Sequence, residues 1–174
     1  MSRVRAPWPL RRIGLFLLLF ALLQGGWQAA QGSALERLLI EQLTAGNAAR
    51  LINLLTPPVA AHAEGARIVA AGGGVNILNG CEGAEVLFLM LAAFAVTPLS
   101  AAARLLAMLS GTLLVFALNQ LRIVVLFYAR RSDPGLFADL HGIVLPLLMV
   151  LAVAAFHAWW VQRPQALPES MRHT

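Results

Sequence analysis

Charge is scarce in this chain. Of 174 residues, 13 are basic and 8 acidic, every basic one is arginine, and charged residues amount to 12% against 59% hydrophobic. Soluble domains carry about 25% charge, so the composition excludes a domain solvated mainly by water; it also excludes disorder, which needs the opposite balance. Cysteine is scarcer still. The single Cys81 rules out an internal disulfide and a cysteine-based zinc site, and the histidines at 62, 141, 157 and 173 lack metal-ligand spacing, so neither a metal nor a diffusible cofactor is implied. The net charge of +5 could suggest nucleic acid, but the arginines stand in ones and twos at the edges of apolar runs and form no stripe or tail. That distribution is a membrane-topology signal.

What is present is four long apolar runs. Residues 13–31 follow Arg3, Arg5, Arg11 and Arg12 and contain IGLFLLLFALL, a first span with a basic flank. A retained anchor is the preferred reading over a cleaved signal peptide, and both place the following segment across the membrane. Residues 83–99 form a second span holding Glu85, 105–128 a third holding Arg122, and 142–161 a fourth. At 1.5 Å per residue each crosses most of a hydrocarbon core of ~30 Å, the second only with help from its neighbours or local thinning. The sequence thus predicts an all-α, polytopic bundle of about four spans forming one integral membrane domain. Both ends lie on the cytoplasmic side, segment 32–82 on the other, and 162–174 forms a disordered tail. His157, Trp159 and Trp160 close the last span as interfacial anchors.

Segment 32–82 has an organisation of its own. Leu35, Leu38, Leu39, Leu43, Leu51, Ile52, Leu54 and Leu55 are spaced for an amphipathic helix, broken near Gly46 and ended by Pro57 and Pro58. Residues 66–70 and 75–78, joined by Ala71 and three glycines, read as a short β-hairpin running into Cys81. No Lys follows these glycines, so a turn is favoured over a phosphate-binding loop.

Three polar residues fall at one depth. Cys81 stands 16 residues before Thr97, and Arg122 stands 18 after Arg104; with a tight connection between, the two climb ~24 and ~27 Å up antiparallel spans to nearly one level. His141 opens the fourth span at that same boundary. A thiol becomes a nucleophile as its thiolate, which a neighbouring cation favours; an imidazole donates a proton to a leaving amine; a guanidinium steadies an anion. Asn119 lies one turn before Arg122 and is placed to hold it. Glu82, beside the thiol, works against its ionisation. Glu85 is expected first to pair with Arg122, with orientation of His141 or binding of a substrate arginine as alternatives.

These residues resemble the exosortase and archaeosortase family of membrane enzymes regarded as cysteine transpeptidases. The resemblance rests on NGCEG at 79–83, NQLRIVVLF at 119–127 and the histidine of DLHG at 139–142, covers about residues 66–160, and is nearest to short members such as exosortase H. It implies catalytic roles for Cys81, Arg122 and His141. It implies as partners exported proteins whose C-terminal sorting signal joins a short recognition sequence, an apolar span and a basic end, handled at the outer face of the bacterial cytoplasmic membrane. The family's cysteine is commonly followed by Ser or Ala; here Glu82 intervenes. The competing expectation is a non-enzymatic scaffold in which Arg122 and Glu85 form a buried ion pair and Cys81 packs. A thiol redox protein is disfavoured, because one cysteine has no resolving partner within the chain.

Overall fold

A computed structural model of the chain describes residues 10–77 and 80–163. Arg3, Arg5, Leu78, Asn79 and the expected tail beyond Arg163 lie outside the described residues.

The protein is a helical membrane protein with one small sheet. Helix α1 (Leu10–Ala29) buries no residue among its apolar side chains, as expected where lipid is the solvent. Gly32 then turns the chain, and Ser33 caps α2 (Ala34–Arg37) by accepting from the Glu36 amide. The helix widens into a π-helical segment, Leu38–Gly46, and continues as α3 (Asn47–Leu55). The expected break near Gly46 is absent: Gly46 keeps right-handed helical angles, φ −61° and ψ −44°, and the irregularity is taken up by the wider preceding turns. The buried face is Ile40, Ala45, Ala48, Ala49 and Ile52, not the expected leucine stripe: Leu35, Leu38, Leu43, Leu51, Leu54 and Leu55 are exposed, and only Ile52 of the predicted set is buried.

After the Pro57–Val59 turn, Asn53 pins the reversal by accepting from the Ala61 amide and donating to the Ala61 carbonyl, both at 2.7 Å. The expected hairpin is there but is part of a three-stranded antiparallel sheet, β1 (His62–Glu64), β2 (Arg67–Ala70) and β3 (Gly73–Asn76) in that order. Ala70 pairs with Gly73, so the turn is the two residues Ala71–Gly72. Gly74 has to be glycine, since a Cβ there would stand 2.2 Å from the Ile68 carbonyl oxygen of the neighbouring strand. The first strand went unread because three residues carry too little alternation to be seen.

Among the described residues, three helices are long and apolar enough to cross a membrane: α1; α5 (Ala101–Ser132); and the continuous helical rod Pro134–Gln162, made of α6 (Pro134–Asp139), a π-helical turn Leu140–Val144 and α7 (Leu145–Gln162). The second expected span is corrected to α4 (Ala84–Val96), which at 1.5 Å per residue rises only ~20 Å. It is shortened at both ends. Residues 80–83 are irregular with left-handed glycines at 80 and 83, and Thr97–Pro98 stop the helix. Helix α5 overruns its predicted end, with Ser100 capping it at one terminus. Asp133 alone makes the next turn, and its carboxylate accepts from the Gly135 amide at 2.7 Å, so the last rod begins eight residues before the predicted 142.

The bundle has two buried clusters. At the sheet end, Ile52, Ile68, Ile77, Cys81, Ile123, Val124 and Phe127 come together from α3, the sheet, the loop before α4, and α5. At the other end Met90, Phe94, Ala107, Val115, Met149, Val153 and Trp160 join α4, α5 and α7. Gly111 lets these last three helices approach, since a Cβ there would fall 2.3 Å from Met90 Sδ and 3.0 Å from the Phe156 ring. Helix α1 packs along α4.

Candidate active site

The site is built where the sheet hands the chain over to α4. Gly80 and Gly83, both at positive φ (93° and 80°), bracket Cys81 and Glu82 in an irregular segment that no helical residue order could hold. Gly83 is also crowded: a Cβ would come within 3.0 Å of the Asn119 side chain, so Asn119 of α5 lies directly against the segment. Cys81 is buried, 8% exposed, against Ile123, Val124 and Phe127 of the same helix. Arg122, 7% exposed, donates from Nη1 to the Gly80 carbonyl at 3.4 Å. The expected juxtaposition of the residue-81 loop with Arg122 is therefore observed.

His141 reaches the same place by a different route from the expected one. It does not open a helix; it sits in the π-helical turn Leu140–Val144, about two turns into the rod, and that turn packs on α5. The ring is stacked on Phe137, centroids 5.4 Å apart and planes 5° from parallel, and Arg130 covers Phe137 at 5.5 Å. A π-turn places residues off the regular 3.6 register, a device frequent at functional sites.

Two supporting residues stand elsewhere than expected. Asn119 is 2% exposed, but its Oδ1 accepts no hydrogen bond, so it does not hold Arg122. Glu85 is exposed on α4 and makes no ion pair with Arg122; among the described residues the one ion pair is His62 with Glu64, at 3.0 Å. A side chain on the first turn of α4 points toward α1, not toward α5, and this removes the pair on which the scaffold expectation relied.

Sequence reasoning missed Trp27. Its indole Nε1 donates to Glu82 Oε1 at 2.8 Å, linking α1 to the residue beside the thiol across 55 positions of sequence. Interfacial tryptophans are common in spans, so nothing in the sequence marked this one. Trp27 and Glu82 together also line two clefts. One, of about 290 Å³, is apolar and bounded by Leu39, Leu43, Leu87, Phe88, Leu113 and Phe116. The other, of about 210 Å³, is polar and bounded by Gln24, Gln28, Gln31, Gly80 and Glu85. They meet at Trp27 and Glu82, the latter next to Cys81 in the chain.

The polar atoms here are left open. Glu82 Oε2, Asn119 Oδ1, Arg122 Nε and His141 Nδ1 are all shielded from solvent and have no hydrogen-bond partner among the described residues. An unsatisfied buried polar group costs about 1–3 kcal/mol, and these four come from three elements: the Gly80–Gly83 segment, α5 and the π-turn. No curated protein and no solved structure matches the chain. The family model described as transmembrane exosortase (Exosortase_EpsH) matches residues 5–157, nearly the whole chain, and the protein accordingly belongs to the transmembrane exosortase family.

Proposed function

We propose that this exosortase is a cysteine transpeptidase that cuts C-terminal sorting signals from exported proteins at the outer face of the bacterial cytoplasmic membrane. The Cys81 thiolate attacks a peptide carbonyl carbon, forming a carbon–sulfur bond. The carbon–nitrogen bond then breaks as His141 gives its proton to the departing amine, leaving an acyl thioester. An amine or a water molecule attacks that thioester and releases the thiolate, giving transfer or hydrolysis respectively. Arg122 cannot exchange a proton at neutral pH, so it serves as the fixed positive charge for the thiolate and the oxyanion. The scheme balances with no cofactor.

The observation that carries this reading is the contact of Arg122 with the Gly80 carbonyl and the packing of the π-turn that carries His141 on the same helix, with polar atoms of Glu82, Asn119, Arg122 and His141 buried and unpartnered among the described residues. The two clefts support the substrate class. A segment that passes from lipid to water would lie with its apolar part against Leu87, Phe88 and Leu113 and its polar part against the glutamines, with the junction at Glu82, the residue after the thiol in the chain. Co-expression with a tagged exported protein bearing such a tail tests it: loss of the tail with the native chain, and full retention with Cys81→Ala at an equal level in the membrane. Tail removal that persists in Cys81→Ala refutes the reading, and so does a tail that is never removed.

A further inference from the structure

A carboxylate immediately after a nucleophilic cysteine is an electrostatic liability, because an anion at that distance disfavours the thiolate. Cys81 belongs to the buried cluster that also holds Ile68, Ile123 and Phe127 and on which Trp27 packs. The carboxylate of Glu82 turns toward α1, where Trp27 Nε1 donates to Oε1 at 2.8 Å. A neutral N–H given to a carboxylate is a charge-assisted bond, stronger than one between neutral groups, and it is anchored in a helix that packs along α4.

From this we infer that Trp27 is a positioning residue which holds the Glu82 carboxylate off Cys81 and so keeps the thiol ionisable. The other charged or titratable groups around the loop are Glu85 on α4, exposed in the polar cleft; Arg122 on α5; and His141 on the π-turn. Tyr128 of α5 borders the same cluster, with its hydroxyl engaged by Thr56 at 2.8 Å. Of these, only Glu82 is covalently next to the thiol, and only its side chain is tied to α1. Releasing it leaves an unfixed anion free to swing toward Cys81, while the cations stay where they are. The single span that a sequence reader takes for a mere anchor thereby becomes part of the site.

The functional meaning rests on Cys81 being the nucleophile, but the experiment reads the thiol itself and needs no substrate. Because Cys81 is the only cysteine in the chain, the rate of modification by a small methanethiosulfonate, followed against pH on the full chain in nanodiscs, gives its titration midpoint directly. Trp27→Phe, which keeps a ring and removes the donor, is expected to raise that midpoint by about one pH unit, slowing labelling roughly tenfold at a fixed pH below it. Adding Glu82→Gln to Trp27→Phe should return the midpoint to the native value, a rescue that lost packing alone would not give. Glu82→Gln in the native background should move it by less than about 0.3 unit. The inference is overturned by an unmoved midpoint in Trp27→Phe, by a raised midpoint that survives Glu82→Gln, or by a large fall in Glu82→Gln alone. Should Trp27→Phe not fold, that last variant decides. Intact mass of the purified chain must also retain Trp27; its absence overturns the inference.

Discussion

The cluster around Ile52, Ile68 and Phe127 at the sheet end and the cluster around Met90, Phe94 and Val153 at the opposite end differ in how they treat polar groups. At the far end, the Thr97 hydroxyl lies 2.7 Å from the Ala93 carbonyl, to which it donates, and 2.9 Å from His157 Nε2. Arg104 donates to the carbonyls of Thr97 and Leu99, which the end of α4 would otherwise leave open. Among the described residues, two buried donors, Arg104 Nε and Trp160 Nε1, stay unengaged there. At the sheet end, acceptors and donors on Glu82, Asn119, Arg122 and His141 are left open together around one loop. Within a lipid-facing bundle an unmet polar group is expensive, so the far end is organised for stability and the sheet end holds its polar atoms for something that comes and goes.

Substitutions should separate the two ends. The largest effect belongs to Arg122→Lys, which keeps the charge but loses the planar fork; processing of a tagged substrate should fall by about 100-fold with the melting temperature in detergent nearly unchanged. A fall in melting temperature that accounts for the lost activity would erase the distinction. Next comes Gly111→Val at the far end, where the added carbons run into Met90 and Phe156. It should cost about 1–3 kcal/mol of stability, while the pH dependence of Cys81 labelling stays native. Thr97→Val removes the hydroxyl that reaches both Ala93 and His157. It should lower stability by about 1 kcal/mol, again without altering substrate turnover in the protein that remains folded. Smallest is Glu85→Gln. Because Glu85 is exposed and holds no ion pair, the change should stay within about 0.5 kcal/mol by thermal melting; a drop of several kcal/mol would restore the buried pair with Arg122.

Much of this architecture was legible from residue order. Apolar runs bounded by arginines and prolines located the membrane helices, whereas the leucine spacing through residues 35–55 did not locate the buried face of α3, which is Ala48, Ala49 and Ile52 while Leu51, Leu54 and Leu55 are exposed. Counting turns placed the residue-81 loop and Arg122 at one level, and there the 1.5 Å rise does the work. Where the reading failed, the cause was an interaction between distant parts. Glycines at positive φ and Thr97–Pro98 trimmed the second span to α4. Asp133 alone sufficed as a turn, moving the last helix start to Pro134 and leaving His141 on a π-turn. Glu85 faces α1 because the roll of α4 about its axis is set by packing on α1, α5 and α7, which spacing within one helix does not report.

The sequence by itself determined the solvent, the number of apolar rods, and the order in which a thiol, a guanidinium and an imidazole occur, since these follow from composition and from distances along a helix. The tertiary structure alone decided which way each side chain turns. The Glu82 carboxylate is drawn to Trp27, and the Arg122 guanidinium to the Gly80 carbonyl, because a helix's rotation and a loop's exit angle are fixed by neighbours remote in the chain.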